Sequence, residues 1–132
     1  MKVTLQDIQK AKEIIKPYIN HTLLEYSANC SQIAGTDVFL KFENLQSTGS
    51  FKIRGAANKL TSLSAAEKKA GVIAASAGNH AQGIASVAQK LGIKAVIVMP
   101  EQSPLIKIVS TRRFGAEVVL KGNNYDEAYE WA

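Results

Sequence analysis

The sequence has a single cysteine, Cys30, in 132 residues. One thiol cannot build an internal disulfide framework or a thiolate metal cluster. Its two histidines, His21 and His80, stand far apart and are too few to make a metal site. Aromatic residues make up only 7% of the chain, and none is interleaved with a basic run. That leaves no footprint for nucleic-acid binding. No apolar run is long enough to cross a bilayer. The stretch Met1-Lys2-Val3-Thr4 carries no apolar signal core, so no export signal is expected. These absences together predict a soluble cytoplasmic protein.

The charge balance is mildly positive, with 16 Lys plus Arg against 11 Asp plus Glu. The bases are mostly single lysines, and only Lys68-Lys69 and Arg112-Arg113 are adjacent. Such spacing reads as a solvated surface that would also draw a phosphorylated small molecule. A hydrophobic share of 46% and a charged share of 20% are ordinary for a globular domain with a real core.

The apolar spacing Leu5, Ile8, Ala11, Ile14, Ile15 predicts a helix from about Leu5 to Lys16. Thr4 is its expected cap, Asp7 the acid of a capping box, and Pro17 its stop. An extended piece at Thr22–Leu24, a brief helix from Ser27 stopped by Gly35, and a strand over Val38–Glu43 follow. A polar turn, Asn44–Ser50, leads into a helix over Phe51–Leu60, and Ser64 with Glu67 opens a short helix. From there strand and helix alternate. The strands are Val72–Ala75, Ala95–Met99 and Val118–Leu120. The helices start near Asn79, at Pro104 and at Tyr125. This rhythm predicts an α/β fold: a parallel sheet in a three-layer α/β/α arrangement. In such sheets ligands sit beyond the carboxyl ends of strands. Asn44–Ser50, Ser76–His80 and Pro100–Ser103 are expected there.

Two of these stretches carry chemistry. In Gly49-Ser-Phe-Lys-Ile-Arg-Gly55, Lys52 falls in the first turn of a helix. Free amides and the positive end of the dipole favour anions there. They also favour a neutral, nucleophilic amine, which Schiff-base chemistry requires. Lys41 and Arg54 add to that effect if they fold nearby. The plain alternative is an exposed helix lysine. In Ala75-Ser-Ala-Gly-Asn-His-Ala-Gln-Gly83, small residues again end a strand and open a helix. Gly78 lets a ligand approach the backbone. The Ser76 hydroxyl, the Asn79 amide and the helix-start amides could converge on a carboxylate or phosphate. The plain alternative is an ordinary cap, with Asn79 capping and His80 on the surface.

Ser50-Phe-Lys-Ile-Arg-Gly-Ala56 together with Ser76-Ala-Gly-Asn-His-Ala-Gln82 resembles the threonine dehydratase (threonine ammonia-lyase) branch of the pyridoxal-phosphate enzymes built like the tryptophan synthase β subunit, the fold type II enzymes. Pro104-Leu-Ile-Lys107 and Gly115-Ala-Glu-Val-Val119 match the same branch. The resemblance implies that Lys52 carries pyridoxal 5'-phosphate as a Schiff base. It implies that Phe51 lies against the cofactor ring and that Asn79 bonds its phenolic oxygen. Ser76, Ala77, Gly78, Asn79 and His80 would form the loop around the substrate carboxylate. The implied reaction is deamination of L-threonine to 2-oxobutanoate and ammonia, in isoleucine biosynthesis or threonine catabolism. Cysteine and threonine synthases carry Asp where this chain has Ile53 and Thr where it has His80. Serine racemases carry a second Ser at the position of Ala77, which has no proton to give. Leu23 stands where the branch usually has Pro.

Members of this branch are much longer, and neither a glycine-rich phosphate cradle nor a partner for the pyridine nitrogen occurs here. The resemblance implies that residues 1–40 belong to a larger domain. Residues 41–132 would form the smaller one, with the lysine and the substrate loop. On that view the chain is an amino-terminal fragment, inactive alone, of an enzyme that is a homo-oligomer when complete. An L-serine dehydratase or racemase of the same family, and a stand-alone α/β binding or interaction module, are the other readings.

Overall fold

The computed structural model describes residues 2–132. Helix α1 (Leu5–Ile15) opens on the expected capping box. The Thr4 amide donates to Asp7 Oδ2 at 2.8 Å, and the Asp7 amide donates to Thr4 Oγ1 at 3.2 Å. The α-helix stops just ahead of Pro17, as expected, and the chain continues through a 3₁₀ turn, Lys16–Tyr18, that contains it. A proline near the start of a new turn lacks only an N–H that would have no partner there. Strand β1 (Leu24–Tyr26), helix α2 (Ala28–Ala34) and strand β2 (Phe39–Lys41) follow.

Strands β1 and β2 pair with each other, antiparallel, with Tyr26 opposite Phe39. The segment expected as a strand of the parallel sheet is therefore separate from it. All six residues of this pair are exposed. Strands buried on both faces need continuous apolar runs. Phe39-Leu40-Lys41 ends in a charge, whereas Val72–Ala75 and Ala95–Met99 are uniformly apolar.

The rest of the chain builds the parallel sheet. Its strands β3 (Val72–Ala75), β4 (Ala95–Met99) and β5 (Glu117–Leu120) lie in the order β3-β4-β5. Helices α3 (Lys52–Ser62), α5 (Asn79–Leu91) and α6 (Leu105–Arg113) cover one face. There Ala95, Ile97 and Met99 pack with Ile53, Ala57, Val87 and Ile108. Strand alternation turns Val98 to the other face, where helix α7 (Tyr125–Trp131) lies on β3 and β4 with Ala128 fully buried. Short helix α4 (Ala65–Ala70) joins α3 to β3. The three-layer α/β/α reading therefore holds.

Ile15 is buried in the same core, so the last turn of α1 is anchored against α3. Leu5 and Ile8 on its apolar stripe stay 69% and 58% exposed. The exit from α4 is a tight bend. Gly71 has φ +93°, and an added Cβ would stand 2.8 Å from the Lys94 carbonyl oxygen. Gly71→Ala is expected to cost about 2 kcal/mol or more, from strain and clash together. Chemical denaturation checks this, and an unchanged midpoint would contradict it.

Candidate functional site

The polar turn before α3 is held by a network that reaches far back in the chain. The Gln46 side chain acts like a strand partner for Asn20. The Asn20 amide donates to Gln46 Oε1 at 2.9 Å, and Gln46 Nε2 donates to the Asn20 carbonyl at 2.9 Å. Thr22 Oγ1 donates to Glu43 Oε1 at 2.6 Å. Arg54 grips the same carboxylate with two bonds, Nε to Oε2 at 2.8 Å and Nη2 to Oε1 at 2.7 Å. The Arg54 hydrogen bond is the main reason that the Glu43 carboxyl is lowered to about 2; the Thr22 bond helps, and burial opposes both. The turn is thus bolted to the first turn of the helix that bears Lys52.

This network corrects one expectation. Arg54 is not a free positive charge beside Lys52, because Glu43 neutralises it. Lys41 is engaged as well: its Nζ donates to the Thr22 carbonyl at 2.6 Å. Sequence reasoning missed the clamp. No local sequence signal announces it, because Asn20 and Thr22 lie 26 and 21 positions from their partners.

Lys52 is the first residue of α3 and is exposed. Its Nζ lies 5.3 Å from the centroid of the Phe51 ring, which is 58% exposed. The next residue, Ile53, is fully buried and seats this turn in the core. Just upstream, Thr48 and Ser50 are buried, and Thr48 Oγ1 and Ser50 Oγ have no hydrogen-bond partner. Buried hydroxyls are normally satisfied, so two orphans beside one lysine mark the loop as unusual.

The turn Ser76–His80 lies just past the carboxyl end of β3. The Ser76 amide donates to the Val98 carbonyl at 3.0 Å. Ser76 Oγ accepts from the Gly78 amide at 3.3 Å. Gly78 is the cap residue of α5, and no side chain caps this helix. Asn79 is already the first helical residue, so the alternative in which it caps is not what the structure shows. Asn79 and His80 are exposed, while Ala77 is half-buried against the core.

Thr4, Ser27, Ser64 and Asn124 cap α1, α2, α4 and α7. The helices without side-chain caps are α3, α5 and α6. Their first amides lack internal partners. Two of these open ends meet. A Cβ added at Gly83, in the second turn of α5, would lie 3.3 Å from the carbonyl carbon and oxygen of Lys52 and the amide nitrogen of Ile53. The start of α5 therefore sits beside the start of α3. Lys52 and the Ser76–His80 turn are brought to one corner of the sheet. The third expected segment, Pro100–Ser103, contributes Ser103, whose Oγ is likewise buried without a partner.

Chemically, this corner offers an exposed amine on a flat aromatic ring, and beside it an anion-binding helix start. The family model described as pyridoxal-phosphate dependent enzyme matches residues 15–132. The chain is 56% identical over 130 residues to L-threonine ammonia-lyase of Thermotoga maritima, covering 98% of this chain and 32% of that protein. It resembles the processed form of threonine deaminase isoform 2 from Solanum lycopersicum with a TM-score of 0.86 at 38% identity, over 100% of this chain and 38% of that one. Maize serine racemase superposes with a TM-score of 0.91 at 30% identity, over 99% of this chain and 40% of that one. The chain thus spans about a third of the length of the curated relative. With the family match running from the last turn of α1 to the final residue, the chain belongs to the family of pyridoxal-phosphate dependent enzymes.

Proposed function

We propose that the protein carrying this chain is a threonine ammonia-lyase, converting L-threonine to 2-oxobutanoate and ammonia. One observation carries the reading: an exposed lysine at an uncapped helix start packs beside a second uncapped helix start. The residues fit the family's cofactor. Among the described residues Lys52 makes no hydrogen bond or ion pair, so its amine is available to hold the aldehyde carbon. The exposed Phe51 ring offers a face for the pyridine ring. When bound, pyridoxal phosphate supplies an electron sink for the pair left as the substrate loses its α-proton.

The remaining work belongs to this chain. With substrate bound, Lys52 Nζ would be the base that takes the α-proton. The first amides of α5 and the Ser76 hydroxyl orient the substrate carboxylate, with Gly78 leaving the backbone open to it. His80 borders the same loop. The Asn79 side chain would hold the cofactor's phenolic oxygen. Ala77 presents only a methyl group, so the opposite face receives no proton from this position. That favours elimination over racemisation, the second reading raised by the likeness to serine racemase.

We also assign residues 1–40 to a larger lobe and residues 41–132 to a smaller one. The exposed Leu5 and Ile8 on α1 support a partner surface supplied by the rest of the protein. Self-assembly of the whole protein suits the exposed Leu105 and Ile106 on α6. Among the described residues no helix is long and apolar enough to cross a membrane. The lone thiol supports a cytoplasmic location. The test is a product assay on the full-length protein. L-threonine should yield 2-oxobutanoate, and the 132-residue chain alone should yield none. D-serine formed from L-serine as the main product would contradict the assignment.

A further inference from the structure

We propose that Gly83 is a positioning residue that sets the distance between the lysine-bearing start of α3 and the substrate-facing start of α5. The inference rests on the roles assigned above to Lys52 and the Ser76–His80 turn. Gly83 is buried inside α5 and does not have a positive φ. Local structure therefore gives no reason for glycine there, since alanine is the better helix former.

Packing gives the reason. Its missing Cβ would meet three atoms of the peptide joining Lys52 to Ile53, each at 3.3 Å. These are backbone atoms and cannot rotate aside. Both helices are anchored in the core here, α3 by Ile53 and α5 by Ala81 and Ala85, so room for a methyl comes only from moving the two starts apart. Asn79 lies one helical turn before Gly83, so a shift of α5 by a few tenths of an ångström passes directly to the Ser76–His80 turn. The buried faces of the two helices are rich in alanine, including Ala56, Ala57, Ala81 and Ala85, which permits this close approach.

Gly55 is the internal contrast. It too lies in a helix, one turn along α3 from Lys52, but a Cβ there meets nothing within 4 Å. An added methyl at Gly55 should be harmless, and at Gly83 it should separate the amine from the bound carboxylate. Misplacement of reacting groups by about 1 Å can cost on the order of 10²-fold in rate. A few tenths should cost about tenfold.

The experiment uses the full-length protein loaded with pyridoxal phosphate, as wild type, Gly83→Ala and Gly55→Ala. It measures kcat and KM for L-threonine, circular dichroism in the cofactor's visible band, and thermal unfolding. Gly83→Ala should lose about tenfold in kcat, with KM changed by less than about twofold. Its visible dichroism should change while the protein still folds cooperatively, with a modestly lowered melting temperature from the overpacked contact. Gly55→Ala should keep the wild-type kinetics and spectrum. Unchanged kcat and dichroism in Gly83→Ala would overturn the inference. So would equal losses in both variants, or a Gly83→Ala protein that does not fold. A wild-type protein that binds the cofactor yet makes no 2-oxobutanoate overturns the threonine reading alone, and the dichroism of Gly83→Ala still decides the positioning role.

Discussion

Lys52→Ala in the full-length protein is expected to abolish the covalent cofactor signal and to lower kcat on L-threonine by at least about 10³-fold. The size follows from the lysine's double duty in the proposed reaction, as the cofactor's attachment point and as the base. Methyl, the side chain left by alanine, does neither. Stability should barely move. Lys52 is exposed and makes no hydrogen bond among the described residues, and such surface changes usually stay within about 0.5 kcal/mol. Lys52→Arg should fail as completely, because a guanidinium stays protonated at any working pH. Visible absorbance after addition of pyridoxal phosphate, with steady-state kinetics, reads the result. Turnover within tenfold of wild type would remove Lys52 from its role.

The second large effect concerns stability. Arg54→Met should destabilise the protein by about 3 kcal/mol. Glu43 retains 16% side-chain exposure, and the substitution would leave its carboxylate without the cation that makes two bonds to it. The ion pair also imposes a pH dependence. The Glu43 carboxyl is held at about 2 in the folded protein, against roughly 4.3 in an unfolded chain. A depressed carboxyl stabilises the fold fully above the unfolded value. That stability is lost as the pH falls from about 4.3 towards 2, and amounts to on the order of 2 to 3 kcal/mol. Denaturant titrations across this window should show a steeper acid loss in wild type than in Arg54→Met. Glu43→Gln added to Arg54→Met should recover part of the cost, because it removes the stranded charge. Equal acid slopes in wild type and Arg54→Met would contradict the clamp.

These two predictions fall on either side of what the sequence discloses. The placement of Lys52 at a helix start was legible because its setting is local: a Gly/Ser/Thr turn, then an apolar helix. The capping boxes at Thr4 and Ser64 were legible for the same reason, since partner and cap lie three residues apart. So was the central strand Ala95–Met99, whose apolar run is covered on both faces; Val72–Ala75 is a strand as expected but not a buried one, because it forms the sheet's edge and Ile73 is 51% exposed. The clamp was not, because Asn20 and Gln46 meet across 26 positions and Thr22 and Glu43 across 21. Arg54 looked like a free charge near the lysine because nothing adjacent in sequence names Glu43 as its partner. The pairing of β1 with β2 was hidden in the same way. The start of α5 at Asn79 was legible too, and only the plain alternative in which Asn79 caps that helix falls. The close approach at Gly83 was invisible, since glycine in a helix carries no periodic signal.

The central claim is that Lys52 is the residue that holds the cofactor. Borohydride reduction of the full-length protein with pyridoxal phosphate bound, followed by peptide mass mapping, tests it most directly. A pyridoxyl-phosphate adduct is expected on the peptide containing Lys52. An adduct on another lysine of the loaded, active protein would contradict it.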